Sequence, residues 1–138
     1  MIKYILVSHG KLASGMKSML EVILGKRDDI VAIDAYIDDF DFEKSIQNII
    51  NHSDLNKDKL IFVSDLLGGS VNNYLLNYLS TKNIYIITGM NSSLLLTLLT
   101  SSKDKNIKQI ISQSINASKD SIMDCSDLDL NQAKDDIF

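Results

Sequence analysis

Ile2-Lys3-Tyr4-Ile5-Leu6-Val7-Ser8-His9-Gly10 is the stretch that decides how this chain is read. The run from Ile2 to Val7 is short, apolar and rich in branched and aromatic side chains, which predicts a buried strand. Its exit delivers a serine, a histidine and a glycine. In an open α/β sheet the carboxyl ends of the strands border the crevice in which ligands bind, so His9 stands where chemistry is favoured. Imidazole can serve there as base, nucleophile or ligand.

Three further runs repeat that composition: Ile30 to Tyr36, Leu60 to Val63 and Ile84 to Thr88. Between them, apolar residues recur at intervals of three and four. Leu12 to Leu24 carries Met16, Met19, Leu20 and Ile23, Phe42 to His52 carries Ile46, Ile49 and Ile50, and Ser70 to Leu79 carries Tyr74, Leu75, Tyr78 and Leu79. These spacings predict helices, with Met16 and Met19 as core packing. Strands alternating with helices imply an α/β fold: a doubly wound, mainly parallel four-stranded sheet of order 2-1-3-4, with right-handed crossovers and helices on both faces. Beyond the fourth strand, Asn91 to Ser101, with Leu94, Leu95, Leu96, Leu98 and Leu99, and Ile107 to Ile115 predict two more helices. Ser121 to Cys125 is a candidate fifth, C-terminal strand, and residues 126–138 read as a peripheral acidic tail, either helical or frayed.

A length of 138 residues with 45% hydrophobic content fits one domain, residues 1–138, with a substantial core. Fourteen basic and eighteen acidic residues give a net charge of −4, without the basic footprint that nucleic acid or an anionic membrane surface would attract. The acidic groups Asp38, Asp39, Asp41 and Glu43, and the later run including Asp120, Asp124, Asp127, Asp129, Asp135 and Asp136, read as solvated surface. A single cysteine, Cys125, excludes an intrachain disulfide and a cysteine cluster, and a reducing compartment is expected. The amino-terminal run reads as a strand rather than a secretion signal, and no apolar stretch approaches membrane-spanning length, so the expected location is cytoplasmic.

The third strand repeats the arrangement at His9. Phe62-Val63-Ser64-Asp65 ends in a carboxylate and runs into Leu66-Leu67-Gly68-Gly69-Ser70 before a helix. If the strand order reverses beside the first strand, strands one and three are neighbours and His9 faces Asp65. A carboxylate beside an imidazole takes the N–H of one ring nitrogen and presents the lone pair of the other to an electrophile. Gly68 and Gly69 permit backbone conformations in which successive amides converge on an anion, and Ser70 is expected to cap the helix. A phosphoryl group is the natural guest at such a helix start. The chain carries neither a P-loop nor a Gly-x-Gly-x-x-Gly turn after the first strand, so nucleotide and dinucleotide binding lack support. His52 reads as a cation near a helix C-terminus. No cofactor and no metal site is expected.

Ser8-His9-Gly10 with Leu12-Ala13-x-Gly15-Met16, then Asp65-Leu66-x-Gly68-Gly69-Ser70, then Gly89-Met90-Asn91 before a leucine-rich helix, resembles the IIA component of the mannose/fructose/sorbose family of the bacterial sugar phosphotransferase system. The resemblance covers residues 1–120. It implies a phosphotransferase with a phosphohistidine intermediate: His9 the nucleophile, Asp65 its orienting acceptor, and Ser70 with the Gly68 and Gly69 backbone binding the phosphoryl group. The implied donor is the histidine-containing phosphocarrier protein and the implied acceptor a IIB component, with membrane IIC and IID components reached indirectly. A homodimer with an exchanged C-terminal strand is also implied. Val71 departs from the family pattern, which usually has proline there. Two competing readings are a flavodoxin-like module that binds an anion for regulation without chemistry, and the phosphotransfer subunit of a dihydroxyacetone kinase. A scaffolding role through the leucine-rich helix would require those leucines to be exposed.

Overall fold

Tyr4 to Val7 form the middle of strand β1, Ile2–His9, where Ile5, Leu6 and Val7 are wholly buried because the strand is paired along both edges. The computed structural model describes residues 1–102 and 104–130. Strands β2, Ile30–Ala35, and β3, Lys59–Ser64, flank β1 in parallel, and β4, Ile84–Thr88, adds to β3, so the sheet order is β2-β1-β3-β4 as the sequence implies. The register sets His9 opposite Ala35 of β2 and Val7 opposite Ser64 of β3, and Ser64 in turn opposite Thr88 of β4. Every strand therefore releases its next residues at one edge of the sheet.

The pleat sorts side chains to two faces. Ile5, Val7, Ile33, Ala35, Leu60, Phe62 and Ile84 meet Phe42 and Ile46 of helix α2, Phe42–Asn51, and Val71 and Leu75 of helix α3, Ser70–Leu75. Helix α1, Leu12–Leu24, lies against β1 and β2 with Ala13 and Leu20 buried, and the Ala13 amide donates to Ser8 Oγ at 2.7 Å. Asp41 caps α2 by accepting from the Lys44 amide at 3.1 Å. This first compact unit, residues 1–92, holds every candidate site residue.

The second unit, residues 93–138, takes in most of α4, Ser92–Thr100, and α5, Ile107–Ser121, which Asn106 caps through the Lys108 amide at 2.8 Å. Leu94, Leu95, Leu98 and Leu99 are buried, so the leucine-rich helix is packing and not an open docking face. Among the described residues no helix is long and apolar enough to cross a membrane.

Several boundaries shift by a residue or two, and three elements depart further from expectation. The helix predicted over Ser70 to Leu79 is α for only Ser70–Leu75 and then tightens into a 3₁₀ turn over Leu76–Tyr78, where the Asn77 side chain takes the Tyr74 carbonyl at 3.0 Å. Helix α5 runs to Ser121, past Ile115, because the small side chains Ser114 and Ser118 continue its buried face. The candidate fifth strand at Ser121 to Cys125 is not formed: Ser121 ends α5 and Cys125–Asp127 is a 3₁₀ turn. The physical reason is local, since Asp124 accepts from the Ser126 amide at 2.9 Å and hydroxyl at 2.7 Å, closing the chain into a turn. Asp135, Asp136 and the rest of the tail from residue 131 lie outside the described residues.

Candidate functional site

The parallel register places the ends of β1 and β3 side by side, and the two reactive groups meet there. One Asp65 oxygen, Oδ2, accepts both from the His9 amide and from ring Nδ1, each at 2.9 Å. The other oxygen accepts from the Leu66 amide at 3.0 Å. The histidine side chain keeps 39% of its surface exposed and the aspartate only 8%. The acid is thus held in place and the ring is presented to solvent.

Burial pushes the Asp65 carboxyl up, but the His9 amide and ring together outweigh it and hold the group below the usual carboxylate value. An ionised carboxylate only accepts, so Nδ1 is the donor and, in the neutral ring, the lone pair lies on Nε2. That nitrogen faces Ser70 Oγ at 3.3 Å. Two of the residues singled out from the sequence, Asp65 and Ser70, therefore converge on the imidazole of the third, His9.

The glycine turn approaches the same ring. Gly68 has φ +74°, a conformation that favours glycine, and a Cβ on Gly69 would lie 3.3 Å from His9 Cε1. The N-cap of α3 is Gly69 rather than Ser70, which occupies the first helical position and turns its hydroxyl to His9 instead of to the backbone. Val71 is accordingly the second helical residue, fully buried. The Gly68 amide donates to Asn72 Oδ1 at 3.3 Å, so it is engaged within the turn. The amides of Gly69, Ser70 and Val71 have no acceptor among the described residues.

Sequence reasoning missed two features. Asn72 and Ser64, both buried, form a polar chain with the half-buried Thr88: Asn72 Nδ2 donates to Ser64 Oγ at 3.2 Å, and Ser64 Oγ donates to Thr88 Oγ1 at 2.9 Å. This ties β4, β3 and α3 to the turn. The second is Tyr36, just past β2, whose ring stacks on His9 with centroids 5.3 Å apart and whose hydroxyl lies 2.7 Å from Ser70 Oγ. The rule that found His9 and Asp65, a functional group at a strand exit beside β1, applies equally to Tyr36. His52 stands away from this constellation, as the C-cap of α2 with Nδ1 2.7 Å from the Asn48 carbonyl. Among the described residues no group of three His, Cys, Asp or Glu could hold a metal ion.

Fold and site define a class: a doubly wound α/β domain with an imidazole oriented by a carboxylate at the carboxyl edge of a 2-1-3-4 sheet. Residues 3–115 match the family model EIIA-man, PTS system fructose IIA component, and the chain belongs to that family. A solved structure from Klebsiella pneumoniae subsp. pneumoniae MGH 78578, described as a candidate phosphoenolpyruvate-dependent sugar phosphotransferase system permease, is 31% identical with a TM-score of 0.86, the alignment covering 91% of this chain and 92% of that one. Phosphotransferase system component EIIA from Streptococcus agalactiae is 28% identical at a TM-score of 0.77, over 93% and 100% of the two chains. The PTS IIA protein associated with the fucose utilization operon of Streptococcus pneumoniae is 26% identical at 0.70, over 96% of each. Comparison with curated proteins gave no match. Family membership supports a role in sugar phosphotransfer.

Proposed function

We propose that this chain is a single phosphocarrier domain that accepts a phosphoryl group on His9 Nε2 from the histidine-containing phosphocarrier protein and passes it to a IIB component. It works as a cytoplasmic homodimer, upstream of membrane IIC and IID components. The observation that carries the reading is the His9 ring held at Nδ1 by Asp65 Oδ2 at 2.9 Å while Nε2 faces Ser70. The Nε2 lone pair attacks phosphorus as the donor's P–N bond breaks, and the donor nitrogen leaves with that electron pair. The Nδ1 proton stays between ring and carboxylate, whose charge offsets the positive charge the ring gains. Such a transfer asks the protein mainly for alignment and for donors to the equatorial oxygens. The Ser70 hydroxyl and the amides of Gly69, Ser70 and Val71 are suited to the second task. Exposed Leu66 and Leu67 beside Asp65 give a protein donor an apolar surface to approach.

The test is incubation with the upstream carrier system and phosphoenolpyruvate. Wild type should acquire acid-labile, base-stable phosphate and His9→Ala none. Equal labelling of the two proteins, or no labelling of wild type, overturns the reading. Anion binding retained by His9→Ala with no phosphorylation of wild type would instead select a regulatory binding module.

A further inference from the structure

Tyr36 carries an arrangement that packing alone does not require. It follows the last residue of β2 with φ 63°, a left-handed conformation that a bulky aromatic residue rarely adopts and that costs backbone energy. That turn lays the ring against His9, with 28° between the planes, and sets it in an edge-to-face pair with Phe42, the buried first residue of α2, ring centroids 5.4 Å apart. The Tyr36 side chain is still largely open to solvent, with the residue 55% exposed, so burial of the ring does not account for its conformation. Its hydroxyl meets Ser70 Oγ at 2.7 Å, and that same oxygen lies 3.3 Å from His9 Nε2.

We infer that Tyr36 is a positioning residue that acts through Ser70 to keep the attacking nitrogen of His9 in its reactive form. The inference rests on the proposed phosphoryl transfer at His9. The proton count carries it. Ser70 has one hydroxyl hydrogen, so it can donate to only one of its two partners at a time. When the Tyr36 hydroxyl donates to Ser70 Oγ, the serine hydrogen is free to point at Nε2, which must then present a lone pair, and Nδ1 holds the proton that Asp65 accepts. When the direction reverses, Ser70 donates to Tyr36 and can only accept from a protonated Nε2, which cannot attack. A phenol is the more acidic hydroxyl and the better donor, so the tyrosine favours the first direction. Once the phosphoryl group is on Nε2, the same serine hydrogen is directed at a phosphoryl oxygen. The stacked Tyr36 ring limits rotation of the imidazole away from this line.

The experiment compares single-turnover phosphorylation of wild type, Tyr36→Phe, Ser70→Ala and the double variant, alongside the nitrogen chemical shifts of the His9 ring. Tyr36→Phe keeps the ring and its stacking but loses the hydroxyl, and it should slow transfer about three- to tenfold, the value of one hydrogen bond. Its His9 nitrogen shifts should move, Nε2 most, as that nitrogen loses an oriented donor, while the thermal midpoint holds. Ser70→Ala should slow transfer at least as much, and the double variant should match Ser70→Ala within a factor of about two, because Tyr36 acts through the serine. A Tyr36→Phe rate equal to wild type, a Ser70→Ala rate equal to wild type, or independent losses that multiply in the double variant would each overturn the inference and leave transfer at His9 intact. Failure of wild type itself to label would instead remove the underlying reading.

Discussion

Two charged contacts of nearly equal length, one at the entrance of β2 beside β1 and one at the exits of β1 and β3, behave differently. At the entrance, Arg27 donates to both oxygens of Asp29, Nε at 2.9 Å and Nη2 at 2.7 Å, while the Asp29 carbonyl accepts from the Tyr4 amide at 2.8 Å. At the exits, His9 sends its amide and Nδ1 to one oxygen of Asp65, both at 2.9 Å. The first contact is a fork-to-fork clamp between a permanent cation and a carboxylate beside a strand entrance. The second grips the imidazole from one side and leaves Nε2 outward. The difference teaches that contact distance does not separate a staple from a site. What separates them is whether a reactive atom is left over and whether the sheet's polarity aims it at the crevice.

The sharpest way to break the second contact is Asp65→Asn. The amide loses the charge that fixes Nδ1–H and can present a donor to the ring, favouring the wrong tautomer, so transfer should fall by about 10²- to 10⁴-fold in single-turnover assays. Stability should fall by about 1–3 kcal/mol because a nearly buried carboxylate that accepts three hydrogen bonds is altered. A transfer rate within a factor of about three of wild type would remove Asp65 from the mechanism. The pH dependence follows from the direction of its shift. A carboxylate held below its ordinary value stabilises the fold at pH values above that value, and the benefit is lost as pH falls through the folded one. The stability gap between wild type and Asp65→Asn, measured by denaturant titration, should therefore narrow below about pH 4.

That contact was legible in the sequence because it follows from topology: apolar runs fix the strands, alternation fixes the parallel order, and the order makes the exits of β1 and β3 neighbours. Tyr36 was equally placed by this logic but went unread, because its left-handed backbone takes it out of the strand and no residue pattern announces a positive φ at tyrosine. Asn72 was missed for another reason: its position in a helix beside Val71 gives no sign that its side chain is buried and joined to Ser64. The capping role assigned to Ser70 failed because a serine one residue inside the helix can turn its hydroxyl outward, and a nearby imidazole competes for it. The fifth strand failed because a single aspartate closes a turn that short apolar runs cannot overrule.

Gly69→Ala probes the open side of the same contact. Its φ of −71° suits any residue, so the backbone tolerates the change, and the new methyl group meets His9 Cε1 at 3.3 Å. The exposed ring gives way at little cost to the fold, so thermal stability should change by less than about 1 kcal/mol. Alignment is less forgiving than stability, and the displaced Nε2 should slow transfer about three- to thirtyfold. Unchanged transfer together with an unchanged His9 ring position by nuclear Overhauser contacts to Tyr36 would show that the turn does not set the ring.

Arg27→Ala tests the other member of the comparison and should move the least. Hydrogen bonding to Asp29 raises the guanidinium further above its already high value, more than burial lowers it. A cation shifted upward contributes stability in full below its unfolded value and loses it only as pH rises through the folded one, beyond any working range. The variant should therefore lose about 0.5–1 kcal/mol by denaturant titration, and the loss should be constant from about pH 6 to about pH 9. Phosphoryl transfer should stay within a factor of about two of wild type, because the clamp holds a strand entrance and touches no group at the exits. A tenfold loss of transfer in this variant would mean that the two ends of the sheet are coupled through β1 and β2. In that case the Arg27 clamp would have to be counted among the groups that position His9.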